Sequence, residues 1–284
     1  MFSNVVVGMK DLEASRDALC LALALTSATG KLTFAHVQVV APKPAPDSGA
    51  AGSAAKRRDA LEELAARRDE SQLDAELVYA EARSVREGLH DAARAGHADL
   101  LVIGASRYDV IYRDLVGDNT RQVLEDAPCA VAVAPLGYSD QRRPARAIGV
   151  AYDDSSDAAR VLALAKKLAV EWHAKLSVFQ AVSGLHLNDP GHFQQSTEDE
   201  ATQARARIAE LAGVEAHAEY GDPAQELGRY GQSVDLLVLG AHRHGPIRRM
   251  LGQGTVQRLA DAPPCPLLVL PQARRLSISE RRAR

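Results

Sequence analysis

Gly252, Gly254 and Thr255 stand just ahead of the helix-patterned segment VQRLADA, and they follow the apolar run LLVLG that ends at Gly240. Glycine lets a backbone reach positive φ and approach a phosphate closely, while a following helix offers unpaired N–H groups and the positive end of its dipole. Between the glycines lie His242, Arg243, His244, Arg248 and Arg249, and Gln253 sits inside the glycine cluster. Their cationic side chains can give charge-assisted hydrogen bonds to an anion. Phosphate binding is the chemistry this spacing suggests. A solvated loop face or an interface salt-bridge patch accounts for the same charges equally well. His242 and His244 come without a Cys or carboxylate at a supporting spacing, so no metal site is expected there.

The segment has a double. ADLLVIGAS at 98–106 matches VDLLVLGAH at 234–242, and DAPCAVAVAP at 126–135 matches DAPPCPLLVLP at 261–271. Gly104 and Gly240 are 240−104 = 136 residues apart, and Cys129 and Cys265 are 265−129 = 136 apart. Upstream, residues 4–25 correspond to residues 147–169. Such self-similarity marks a duplicated domain.

Each copy must build a frame for its glycine loop. The strands are short apolar runs: VVVG, LTFAHV, AELVYA, LLVIG and AVAVA, then AIGVAY, LSVFQAV, EAHAEY, LLVLG and PLLVL. Between them, windows such as RDALCLALAL and ARVLALAKKLA repeat Leu and Ala at helical spacing. Alternating strands and helices imply a parallel sheet covered on both faces. The fold class expected is α/β, with two tandem doubly wound domains, each a mainly parallel five-stranded sheet. The domains are placed at 1–140 and 141–275, with a basic tail at 276–284 read as disordered. The joint, residues 137–146, is polar and should make few contacts. Residues 41–55, rich in Pro, Gly, Ala and Ser, read as a flexible loop.

Composition narrows the function. The chain has 284 residues, 46% hydrophobic and 25% charged, enough for two cores. A net charge of −3 argues against nucleic-acid binding. No apolar run approaches the roughly 20 residues that span a bilayer, so no membrane partner and a cytoplasmic location are expected. Cys20, Cys129 and Cys265 form no C-x-x-C pair and are read as packing residues. Asp222 and Pro223 read as a helix start, and Asp153 and Asp154 as caps of a helix beginning near Ser156.

With these residues in view, the chain resembles the universal stress proteins in their tandem form, over about residues 3–136 and 145–271. In nucleotide-binding members of that family the strand-end glycine opens a pattern of Gly, two residues, Gly, nine residues, Gly, then Ser or Thr. An Asp follows strand one. The resemblance implies that these hold ATP, with the Asp on the adenosine side and the loop around the phosphates. In the first half the pattern gives Gly104, then Arg107 in place of glycine, Gly117, and Asp118 in place of the hydroxyl, with Lys10 at the Asp position. Two unit charges about 4 Å apart repel by about 1 kcal/mol even in bulk water, so Asp118 opposes a triphosphate. The first half reads as a degenerate copy.

In the second half Asp153 keeps the family's Asp position, and Ala181 falls where main-chain groups meet adenine. Gly240 is retained, Arg243 replaces the second glycine, and Gly252 comes 12 residues after Gly240 where the family has 13. Gln253, Gly254 and Thr255 complete the candidate site. The expected function is a stress-response protein that binds or senses ATP, with Mg²⁺, in its second half, as an internal pseudo-dimer. A further homodimer is left open. The alternative is a regulatory or interaction protein without nucleotide, or a binder of another small ligand. No catalytic residue is assigned, since no Ser-His-Asp or Cys-His arrangement repeats. Slow hydrolysis of a bound triphosphate by water is the one activity the reading admits.

Overall fold

The computed structural model describes residues 1–10, 12–40, 50–105, 119–141, 145–155, 157–183, 193–241 and 254–272. The first half runs β1 (Phe2–Gly8), α1 (Leu12–Leu25), β2 (Thr26–Val39), α2 (Ala50–Ser71), β3 (Ala75–Ala82), α3 (Val85–Ala95), β4 (Leu100–Gly104), α4 (Asn119–Leu124) and β5 (Ala130–Ala134). A short α5 (Tyr138–Gln141) leads out of it. The second half repeats the plan as β6 (Ala147–Ala151), α6 (Ala158–Trp172), β7 (Lys175–Val182), α7 (Phe193–Ala209), β8 (Glu215–Tyr220), α8 (Pro223–Gly231), β9 (Leu236–Gly240), α9 (Thr255–Asp261) and β10 (Leu267–Leu270). All ten strands read from the sequence are present.

They form one ten-stranded sheet in the order β3-β2-β1-β4-β5-β10-β9-β6-β7-β8. Pairing is parallel within each half, and β5 meets β10 antiparallel, with Val131 opposite Val269 and Val133 opposite Leu267. The β5 sequence AVAVA is buried at all five positions, and LLVL in β10 at all four, as central strands covered on both faces require.

Two apolar layers cover the sheet. Leu21, Leu25, Leu64, Val161, Leu168 and Ile208 pack α1, α2, α6 and α7 on one face. Leu89, Val123, Leu227 and Leu259 pack α3, α4, α8 and α9 on the other. Each layer draws residues from both halves. Cys129 and Cys265 lie buried in the second layer, and burial pushes both thiols up to about 12. A reactive cysteine needs accessible thiolate, so both act as packing groups.

Two sequence expectations change. Residues 50–55 belong to α2; an AAGSAA run has high helix propensity, which its single glycine lowers without breaking. The joint is also pinned. Asp17, 3% exposed, accepts hydrogen bonds from Gly137 N at 2.8 Å and Ser139 N at 2.7 Å, which holds the start of α5 against α1. A buried carboxylate requires such donors, and here the joint supplies them. Residues 142–144, the loop at 41–49 and the tail at 276–284 lie outside the described residues.

The sheet edge is guarded as well. Arg205 on α7 reaches around to Ala218 O on the edge strand β8 at 2.9 Å, occupying a carbonyl that would otherwise template another chain.

Candidate functional site

Strand order reverses between β6 and β9: the chain runs outward through β7 and β8, then returns to build β9 and β10 on the other side. Loops splay apart at such a switch point, and ligands of open α/β sheets collect there at the carboxyl ends of strands. The second half puts its candidate residues around this crevice. Ala151 closes β6 opposite Phe179 of β7, and Tyr152 N extends the ladder by donating to Phe179 O at 2.9 Å. Asp153 lies two residues past the end of β6 and Ala181 one residue before the end of β7, so both stand at the carboxyl ends of these neighbouring strands. On the opposite flank Gly240 ends β9 beside Leu270, and Ala241 N donates to Leu270 O at 2.8 Å. Thr255 opens α9, with Gly254 as its N-cap and no side chain bonded to the cap.

Asp153 is exposed, and its Oδ1 accepts from Ser155 N at 3.1 Å. This Asx turn fixes the carboxylate at the strand end. It does not cap the helix: α6 begins at Ala158, with Asp157 at the N-cap position, two residues after the expected start near Ser156. Asp154 adopts φ 54° and turns the other way. Its Oδ2 accepts from Gln180 Nε2 at 3.3 Å and lies 3.6 Å from Arg207 Nη2. Tyr152 sits beside it, its phenol pushed up by burial and then by the Asp154 charge. Asp153 is thus left at the crevice while Asp154 ties β6 to α7.

Asp222 is the N-cap of α8 and accepts from Gln225 N at 3.0 Å, with Pro223 in the first turn, as the sequence suggested. The structure adds Arg258 of α9, whose Nη1 donates to Asp222 Oδ2 at 2.8 Å. Burial acts to raise this carboxyl, and the hydrogen bonds from Arg258 and Gln225 outweigh it, so Asp222 lies below the ordinary carboxylate range. The pair joins the N-terminus of α8 to α9 and places a guanidinium one turn past Thr255.

The first half has the same crevice between β1 and β4 with different occupants. Lys10, exposed two residues beyond β1, takes the place that Asp153 holds two residues beyond β6. Its backbone N–H donates to Ser15 Oγ at 3.0 Å. Equivalent points of one duplicated frame therefore carry opposite charge. Gly104 ends β4 as Gly240 ends β9.

Asp153, Ala181, Gly240, Gly254 and Thr255 thus lie at one end of one half-sheet. Arg243, Gly252 and Gln253 lie outside the described residues, as do the remaining cations at 242–249 and Arg107, Gly117 and Asp118 of the first half. Arg258, Gln180 and Arg207 were missed by the sequence reading. Only Arg258 left a signal, a basic residue one turn into a helix that follows a glycine cluster. Among the described residues no group of His, Cys, Asp and Glu could hold a metal ion, and no helix is long and apolar enough to cross a membrane.

The model of the universal stress protein family matches residues 1–135 and again residues 144–271. A universal stress protein of Thermus aquaticus, named for its position 3′ of a sulfhydrylase gene, is 29% identical over 135 residues, 44% of this chain and 98% of its own length. Among solved structures, a universal stress protein from Archaeoglobus fulgidus superposes with a TM-score of 0.65 at 17% identity, covering 95% of this chain and 97% of the other. A functionally unknown protein from Pseudomonas aeruginosa gives 0.63 at 18% identity, covering 95% and 92%. At these identities the structures speak for the fold, and the two family matches speak for descent: the chain belongs to the universal stress protein family, as a tandem member with one family domain in each half.

Proposed function

We propose that the chain is a stress-response protein that takes one adenine nucleotide, ATP with Mg²⁺, in its second half, while the first half serves as an internal partner in a pseudo-dimer. The observation that supports this reading is that Asp153 and Ala181 stand at the carboxyl ends of neighbouring strands β6 and β7 at the switch point, and that Gly240 ends β9 on the other side. An exposed carboxylate there accepts ribose hydroxyls, and the main chain at Ala181 offers the adenine edge both a donor and an acceptor. Gly254 and Thr255 stand on the phosphate side, and Arg243, Gly252 and Gln253 belong to the sequence between β9 and α9. In the first half Lys10 removes the carboxylate, so no ribose contact of this kind forms.

The chain's part is to bind and orient. No side chain described here stands as an activated nucleophile or base, and a bound triphosphate would be hydrolysed only by adventitious water.

Calorimetry with Mg·ATP tests the reading. The parent chain should give saturable heat. Asp153→Ala should weaken binding by about tenfold or more, since hydrogen bonds to a charged group are worth about 1.5–3 kcal/mol. Lys10→Ala should leave binding unchanged. Absence of heat from the parent chain removes the nucleotide and favours the second reading, a regulatory protein acting through its surfaces or another small ligand. That reading draws on Arg243 in place of glycine and on the use of Asp153 Oδ1 within its own turn.

A further inference from the structure

The second half carries a groove of about 360 Å³ between the edge strand β8 and helix α8, lined by Phe179, His217, Glu219, Glu226, Arg229 and Tyr230. The duplicated frame shows what made it. Phe179 pairs with His217 as Ala35 pairs with Val78, so small apolar residues of the first half stand where the groove has its floor and wall. Counting from the helix N-caps, Ser84 and Asp222, Gly88 corresponds to Glu226 and Ala92 to Tyr230. A side chain at Gly88 would meet Val37 at 2.5 and 2.8 Å, so α3 sits directly on β2. In the second half Glu226 and Tyr230 hold α8 off the sheet edge.

The floor is rigid and aromatic. Phe179 and Tyr230 stack at 4.7 Å and 21°, and His217 tilts against Tyr230 at 5.9 Å. Tyr230 is locked by a hydrogen bond to Ser177 and by Gly149, which leaves the ring its space. The walls are acidic. The Glu226 side chain is 13% exposed and lies against Gly221. It accepts from Arg229 Nη1 at 2.9 and 3.2 Å, but Arg229 is 73% exposed and can swing into solvent. Glu219 stands at the rim, 62% exposed and 3.7 Å from Arg205 Nη2 of α7, and Glu215 holds His217 Nε2 at 3.3 Å. Within the lining two carboxylates face one guanidinium, and Arg205 reaches Glu219 from outside it; both guanidiniums are about half exposed or more.

We propose that this groove binds a small organic cation with a flat apolar body, such as an aryl amidine, guanidine or ammonium. Its body would lie over the Phe179, Tyr230 and His217 rings, and its charged head would meet Glu219 and Glu226. The volume falls in the range of small-molecule sites, with an apolar floor and a few converging polar groups. Aromatic faces beside carboxylates favour cations, and a half-buried carboxylate attracts them more strongly than one in bulk water. An anion of the same shape would have to draw Arg205 and Arg229 away from these glutamates to find a cationic partner, whereas a cation need only replace two exposed guanidiniums. The site lies on the β8 side of Ala181 and does not depend on the nucleotide reading.

Titration of the isotope-labelled full-length chain with benzamidine, followed by NMR, tests this. Saturable shifts should appear at His217, Glu219, Glu226 and Tyr230, weaken with added salt, and be absent with benzoate. Glu219→Gln and Glu226→Gln should each weaken binding about three- to tenfold, a loss of one charge-assisted contact, while Asp153→Ala leaves it unchanged. No shifts at these residues, equal shifts with benzoate, or indifference to both glutamate substitutions would overturn the proposal. Amide spectra of the two variants report whether each remains folded, and the benzoate comparison on the parent chain decides the matter if either does not.

Discussion

Ala132 and Leu268 are the same position in the two copies, 268−132 = 136 residues apart, and they pair with each other across β5 and β10. Leu267 faces Val133 and Val269 faces Val131, so the register is symmetric about that pair. A local two-fold axis passes through it. The duplication thus closes on itself, turning two would-be edge strands into the buried centre of one sheet.

The side chains around the axis are not symmetric. Arg121 of α4 makes a bidentate ion pair with Asp261 of α9. The counterparts of these residues, at the offset of 135 that aligns the DAP at 126–128 with the DAP at 261–263, are Val256 and Asp126. The pair is 27% and 11% exposed, so solvent screens it only partly. Arg121→Ala or Asp261→Ala should cost about 1–3 kcal/mol, because each leaves a half-buried charge without its partner. A double-mutant cycle by chemical denaturation should show the two losses to be strongly non-additive; additivity would mean that the contact contributes nothing.

Asp17 should matter for the joint between halves. Its carboxylate is buried and bonded to two backbone N–H groups at 137 and 139. Asp17→Asn turns an N–H donor toward an N–H donor and should cost about 1–3 kcal/mol. Amide exchange should speed up at Gly137 and Ser139 in that variant; unchanged protection there would show that the carboxylate does not hold the joint.

Gly149 leaves room for Tyr230. A Cβ there would lie 2.7–3.0 Å from the Tyr230 ring and hydroxyl, so Gly149→Ala should destabilise the chain by about 1–3 kcal/mol through overpacking. In a Tyr230→Ala background the same substitution should cost much less. Equal cost in both backgrounds would place the strain elsewhere.

His90 gives the fold a pH dependence. It is 3% exposed, its Nε2 bonds Val123 O at 2.8 Å, and burial lowers its pKa below 6.5, helped by Arg86 and Arg94 and opposed by the Val123 bond and Asp126. The folded chain therefore binds this proton less readily than the unfolded chain, and stability falls as pH drops below about 6.5. Melting temperature measured from pH 7.5 to 5.5 should fall in the parent chain and less steeply in His90→Gln. Parallel slopes would assign the dependence to other groups.

Much of this was legible in the letters. The repeated LLVIG and LLVLG runs, the Leu and Ala spacing of α1 and α6, and the 136-residue offset led to ten strands, two copies and parallel pairing, because burial on both faces leaves a continuous apolar signature. Asp153 and Ala181 could be placed at strand ends because β6 and β7 are recognisable apolar runs, and their selection came from the family resemblance. Asp17 and Arg258 were not, since a polar side chain's partner depends on where distant segments meet, and no periodicity records that. The groove was invisible for the same reason: Phe179, Glu226 and Tyr230 come from two elements, and only the loss of a Gly88-like glycine hinted that α8 stands further out. Residues 50–55 misled because their composition suits both a loop and the start of a helix.

The account's central claim is that one half kept a nucleotide cleft and the other gave it up. Equilibrium dialysis of the full chain against Mg·ATP measures this directly as moles bound per mole of chain. The account predicts one, falling to none when Asp153 is replaced by Lys to match Lys10. A value of none in the parent chain, or of two, would contradict it.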